Sequence, residues 1–234
     1  MQKTEKWVKL GGTALCEIFT VITIITLWAG GEPDRLALAF GTLMLVLLPL
    51  LLEKLFHCRI CLPVYIFALA YAIGPMLGHC WKLYYTVPVW DKLLHISGGV
   101  MFAILGAYVF DRLIKEKAYP VTRIIFALCF SIAIAVLWEF CEFGADTFLG
   151  MDMQDDTVVY GLTSYLLGDA VGITGSITDI QSVVVNGTPL PVGGYIDIGL
   201  IDSMLDMLLE TFGAMVTCLA LWLDKGKRPW IHKQ

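Results

Sequence analysis

Six apolar runs divide the chain, at about residues 10–29, 36–52, 62–79, 93–111, 121–143 and 200–223. Each is close to the ~20 residues that an α-helix needs to cross a bilayer. The pattern predicts an all-α polytopic membrane protein, a helical bundle of six spans. Gly74-Pro75 inside the third run predicts a kink, tolerable where neighbouring helices or water satisfy the freed carbonyls. Lys3, Lys6 and Lys9 precede the first run, as they would in a signal peptide. That run is long for a signal segment and carries Glu17, so it reads as an uncleaved first span.

The segment between the fifth and sixth runs, residues 144–199, breaks the pattern. It holds seven aspartates, ten glycines and no Lys or Arg. Its later part, 180–198, has short β-rich runs around Asn186-Gly187, which predicts a hairpin with a type I′ turn. Thr157–Val171 is apolar enough for an interfacial or re-entrant helix, although Gly161, Gly168 and Asp169 interrupt it. The expected organisation is therefore one membrane domain, 1–234, with a long acidic loop at 144–199.

Charge gives the orientation. Thirteen of the sixteen Lys and Arg fall on one side of the predicted spans, and only Arg35, Lys82 and Lys92 on the other. Cytoplasmic connections carry the excess of positive charge, so both termini are expected in the cytoplasm and the 144–199 loop outside. Composition agrees, with 58% apolar residues and a mean hydropathy of +0.75. The net charge is −5 and no basic patch or nucleic-acid motif is present, so a nucleic-acid partner is not expected. The seven cysteines are odd in number and scattered through apolar runs, which argues for buried free thiols rather than a disulfide framework.

Candidate chemistry sits at the outer ends of the last three spans. Asp91 and His95 are i, i+4 neighbours on the fourth. Glu139 and Glu142 are i, i+3 neighbours on the fifth, with Asp146 continuing their face. Asp202 and Asp206 are i, i+4 neighbours on the sixth, and Glu210 follows roughly 12 Å below Asp202 at the α-helical rise. First-turn acids are favoured by the helix dipole, which explains Asp91 and Asp202 without any function. It does not explain Glu139 and Glu142 at a helix C-terminus, or Asp206 and Glu210 inside a span. Crowded carboxylates resist ionising together, and Lys92 is the only nearby cation, so protons or a cation must be supplied. Oxygen ligands with one imidazole suit a divalent ion such as Mg, Mn, Fe or Zn. The expected metal ligands are Asp91, His95, Glu139, Glu142, Asp202 and Asp206, with Glu142 also the candidate general base. Shared protons and a solvated acidic rim are the alternatives. Glu17, with Thr13 and Thr20 on one face, reads as a carboxyl bonded to hydroxyls or as a proton-path residue. Cys58-x-x-Cys61 lacks the second pair that a zinc site needs. Gly99, Ala103 and Ala107 form a small-residue ridge for helix packing.

Trp90-Asp91-Lys92-Leu93-Leu94-His95, Trp138-Glu139-x-x-Glu142 and Asp202-Ser203-Met204-Leu205-Asp206-Met207 with Gly213 together resemble the YjdF-like family of bacterial inner-membrane proteins. More distantly they are similar to VanZ-like proteins. The resemblance covers roughly residues 80–223, and the long loop at 150–199 departs from it. It implies a small polytopic protein of the bacterial cytoplasmic membrane and supplies no biochemical activity, although the VanZ-like side implies a link to the cell envelope. Three functions follow as expectations. The first is a metal-dependent enzyme acting on a lipid or lipid-linked envelope precursor. The second is an ion- or proton-coupled transporter, for which Glu210 and Glu17 matter most. The third is a non-catalytic envelope-stress or assembly protein. In each case membrane lipids are the surroundings.

Overall fold

The computed structural model describes residues 2–114, 119–224 and 231–233. Its helices are α1 (Gln2–Gly30), α2 (Leu36–Leu55), α3 (Leu62–Cys80), the short α4 (Leu83–Thr86), α5 (Trp90–Leu113), α6 (Pro120–Leu149) and α7 (Leu200–Asp224). All but α4 are long and apolar enough to cross a membrane, which matches the six spans expected. Short strands accompany them: β1 (Cys58–Ile60), β2 (Val158–Val159), β3 (Leu162–Ser164), β4 (Gly175–Ile177), β5 (Val184–Val185), β6 (Thr188–Pro189), β7 (Tyr195–Ile196) and β8 (Ile231–Lys233). Contacts group the chain into two compact units, residues 1–135 with 209–234, and residues 136–208.

In the first unit, α1 begins about two turns before the apolar run does. Buried Lys9 explains why the charged turns stay helical. Its Nζ donates to Glu53 Oε1 at 2.6 Å and to the Ile60 carbonyl at 2.5 Å. It also sits 5.0 Å from the centre of the Tyr65 ring. Arg59 pairs with Glu5 beside it. An ammonium ion out of water needs such partners. Val46, Tyr65, Leu69 and Ala72 pack together nearby. Ala103, Ala107, Ala127 and Ala214 form a second cluster, so the small-residue ridge on α5 does serve packing. Outward-facing apolar side chains such as Leu15, Ile25 and Met44 are 61–71% exposed, as lipid-facing positions of a span are. Antiparallel β1 and β8 pair Cys58 with Lys233 and Ile60 with Ile231.

In the second unit, β2 pairs with β7, β3 with β4 and β5 with β6. Asn186 and Gly187 link β5 to β6 with φ of 51° and 83°, as a type I′ turn requires. Thr157–Val171 is not a helix. It forms β2, β3 and a 3-10 turn at Tyr165–Leu167. Gly168 and Gly175 explain the difference. A Cβ on Gly168 would lie 1.9 Å from the Ile173 carbonyl oxygen, and one on Gly175 2.0 Å from that of Leu167. The hairpin closes only because these residues lack side chains, and glycine is a poor helix former.

Candidate functional site

In the first unit the site begins with how α5 is seated. The Trp90 indole N–H donates to the Gly74 carbonyl at 3.1 Å. The Leu94 side chain fills the space beside Gly74, where a Cβ would stand 2.4 Å from Leu94 Cδ2. The glycine of the predicted kink thus receives α5, and these two contacts fix the helix's rotation. Asp91 and His95 then share one face. His95 Nε2 lies 3.6 Å from Asp91 Oδ1, and Lys92 Nζ donates to Asp91 Oδ2 at 3.0 Å.

The other ring nitrogen, His95 Nδ1, lies 3.9 Å from Glu210 Oε2. Glycines make this approach possible. A Cβ on Gly99 would stand 1.9 Å from the Glu210 carbonyl oxygen, and one on Gly213 2.2 Å from that of Ile96. The backbones of α5 and α7 touch at these points, as small residues allow between spans. The Tyr71 hydroxyl and the Glu210 carboxyl both border the space over Gly98. Side-chain exposure falls from 32% at Lys92 and 20% at Asp91 to 7% at His95 and 4% at Glu210. One imidazole therefore stands between two carboxylates, increasingly shielded from solvent. A neutral imidazole has one N–H, so its second nitrogen presents a lone pair towards a carboxylate. A proton or a cation relieves that repulsion.

In the second unit, Glu139 and Glu142 are buried on α6, and Asp202 and Asp206 on α7. Trp138 Nε1 donates to Glu142 Oε1 at 2.9 Å. Asp146 accepts the backbone N–H groups of Met153 at 2.6 Å and Gln154 at 3.0 Å, which turns the chain at the end of α6. Asp202 Oδ2 accepts the Asp155 N–H at 3.0 Å, and Gln154 bonds Ser203. Asp202 thus has a loop-anchoring role beside any ligand role. Asp197 caps α7, accepting from Ile201 at 2.8 Å, Thr157 at 2.8 Å and Gly199 at 3.3 Å. Burial raises its pKa, but these N–H groups outweigh that and hold the carboxyl below the usual range. Asp156 is pushed up, by burial and then by the charges of Asp152, Asp197 and Asp146.

Some expectations change. Glu210 was expected on a deeper route and not as part of the His95 site, yet its carboxyl faces His95. Helix spacing put it on the face of Asp202 and Asp206, but only packing shows which residue that face meets. Asp197 was not singled out, although an acid just ahead of an apolar helical run is a helix-start signal. Glu17 is not bonded to hydroxyls. Thr13 pairs with the Tyr65 hydroxyl at 2.8 Å and Thr20 donates to the Cys16 carbonyl at 2.8 Å, while Glu17 Oε1 is buried without a hydrogen bond. All seven cysteines are free thiols, with Cys129 and Cys141 exposed on α6 rather than buried. His79 meets the Tyr84 ring edge-on at 5.1 Å.

A family model described as a predicted membrane protein, DUF2238, matches residues 13–226. The chain belongs to that family. DUF2238 membership agrees with the YjdF-like resemblance and extends it to all six spans. No curated protein and no solved structure matches the chain. As a DUF2238 protein with six apolar spans it is an integral membrane protein in contact with lipid.

Proposed function

We propose that this protein is a divalent-cation-dependent membrane enzyme that acts on a lipid or lipid-linked envelope precursor. Asp91 and His95 are the first ligands, and Glu210 orients the imidazole from its other nitrogen. The observation that carries the reading is His95 between two carboxylates, at 3.6 Å and 3.9 Å. Metal-binding histidines commonly turn their second ring nitrogen to a carboxylate in this way. Asp206, one turn from Glu210 on the same face of α7, is the next ligand along that helix. Glu139, Glu142 and Asp202 complete the proposed acidic set, and Glu142 is the proposed general base. Bound Mg, Mn, Fe or Zn would polarise a phosphate oxygen or activate a water. A cation is essential here, because bare carboxylates repel an anionic headgroup. The thirteen-to-three charge asymmetry supports cytoplasmic termini, and the YjdF-like resemblance supports a bacterial inner-membrane location.

The test is incubation of proteoliposomes with membrane lipid extract, with and without chelator, read by lipid mass spectrometry. A headgroup product that needs the divalent ion and disappears in Asp91→Asn is expected. A product formed equally by Asp91→Asn refutes the ligand assignment. A second reading, ion-coupled transport, is favoured by the depth of Glu210, which is 3% exposed. It requires that Glu210→Gln abolish function while Asp91→Asn does not.

A further inference from the structure

The apolar stretch within 157–178 folds as a hairpin whose apolar side chains are left uncovered. At its tip, between β3 and β4, Tyr165 is 69% exposed, Leu166 94% and Ile173 57%, and Val171 is fully exposed. The tip is held in shape. Ser164 Oγ accepts the Leu166 N–H at 3.1 Å, and Ile173 N–H donates to the Ala170 carbonyl at 3.1 Å. Close backbone contact at Gly168 and Gly175 closes its base. The apolar side chains are therefore fixed outward. Asp169 is the only charged residue from 157 to 178. Holding Leu, Val and Ile together in water is unfavourable, and exposed apolar patches mark an interaction. The same unit contains the ends of two membrane spans, α6 and α7, so lipid is the apolar phase continuous with it. Tyr160, 63% exposed, and Tyr165 have the apolar ring and polar tip that suit the headgroup level.

We propose that residues 165–173 insert into the headgroup–acyl boundary of the bilayer that the helices cross, as an interfacial anchor built from a β-hairpin. The segment has no Lys or Arg, so its docking needs no anionic lipid and does not weaken with salt. Tyr195, at 42% exposure on β7 of the same unit, is the internal reference. Hydroxyl-radical footprinting of the full chain, one copy per phosphatidylcholine nanodisc, reads both tyrosines by mass spectrometry. Tyr165 is expected to be oxidised less than Tyr195, reversing the order set by their exposures, at low and high salt alike. Tyr165 oxidised more than Tyr195 overturns the proposal. Protection seen in native membranes and lost in nanodiscs also overturns it, because it marks a protein partner instead. A benzophenone amino acid in place of Leu166 gives a positive readout. An adduct with phosphatidylcholine is expected, and the absence of any lipid adduct in a folded sample counts against insertion.

Discussion

Substituting Gly99 tests the packing on which the His95 site stands. In Gly99→Ala the new Cβ would lie 1.9 Å from the Glu210 carbonyl oxygen and 2.8 Å from the Ala214 nitrogen. Both are backbone atoms, so no side chain can swing aside. Reaching ordinary contact at 3.4 Å requires 3.4 − 1.9 = 1.5 Å of movement between α5 and α7. Overpacking costs about 1–3 kcal/mol, and a clash between two backbones falls in the upper part of that range, at about 2–3 kcal/mol. Alanine recovers up to about 1 kcal/mol of helix propensity over glycine, so the clash outweighs the gain by roughly 1–2 kcal/mol. That is a loss of about 5- to 30-fold in the folded-to-unfolded ratio. Gly98→Ala is the control on the adjacent residue. Its Cβ would meet the Tyr71 hydroxyl at 3.0 Å and Glu210 Cδ at 3.5 Å, both side-chain atoms that can yield. It should be neutral or slightly stabilising. Unfolding by added SDS in mixed micelles, followed by circular dichroism, reads both. Gly99→Ala as stable as Gly98→Ala would refute the close approach, and with it the placement of Glu210 against His95.

Glu210→Gln should leave the fold intact and weaken divalent-ion affinity by roughly 10- to 100-fold, the usual cost of losing an outer partner of a ligating histidine. Calorimetric titration with Mn or Zn checks it, and unchanged affinity removes Glu210 from the site. Asp197→Ala should cost about 1–2 kcal/mol, as loss of a helix cap does. Because the Asp197 carboxyl is held below its usual pKa, its contribution is present above about pH 3.9 and is lost as pH falls through the lower folded value. Faster hydrogen exchange at the Thr157 and Ile201 amides is the readout. Lys9→Met should destabilise by about 3 kcal/mol, the low end for breaking a buried pair, since Glu53 keeps 16% side-chain exposure. In the same unfolding assay Glu53→Leu should cost less in the Lys9→Met background than in the wild type, where it strands Lys9 as well as the Ile60 N–H; equal costs in the two backgrounds would refute the pairing.

The spans were legible because each apolar run is long and hydropathy is insensitive to packing. Their ends were less so. Helix α1 continues ahead of its apolar run because partners distant in sequence, Glu53 and the Ile60 carbonyl, satisfy Lys9. The Asn186-Gly187 turn was legible because positive φ at both central residues selects those residue types. Thr157–Val171 misled because apolar content does not distinguish a short hairpin from a helix when the deciding contacts join Gly168 to Ile173 and Gly175 to Leu167. At the site, i, i+4 spacing revealed Asp91 with His95. It could not reveal that Glu210 meets His95, because that depends on helix rotation and on the glycines at 98, 99 and 213.

Metal content decides whether Asp91 and His95 hold a divalent ion. The measurement is inductively coupled plasma mass spectrometry on the detergent-purified wild type beside an Asp91→Asn/His95→Ala double variant, both kept in buffers that retain weakly held ions. Close to one divalent ion per chain is expected in the wild type, and its loss in the folded variant. A wild type without metal, or a variant that keeps it, rules out an ion held by Asp91 and His95 and leaves His95 and its two carboxylates to share protons instead.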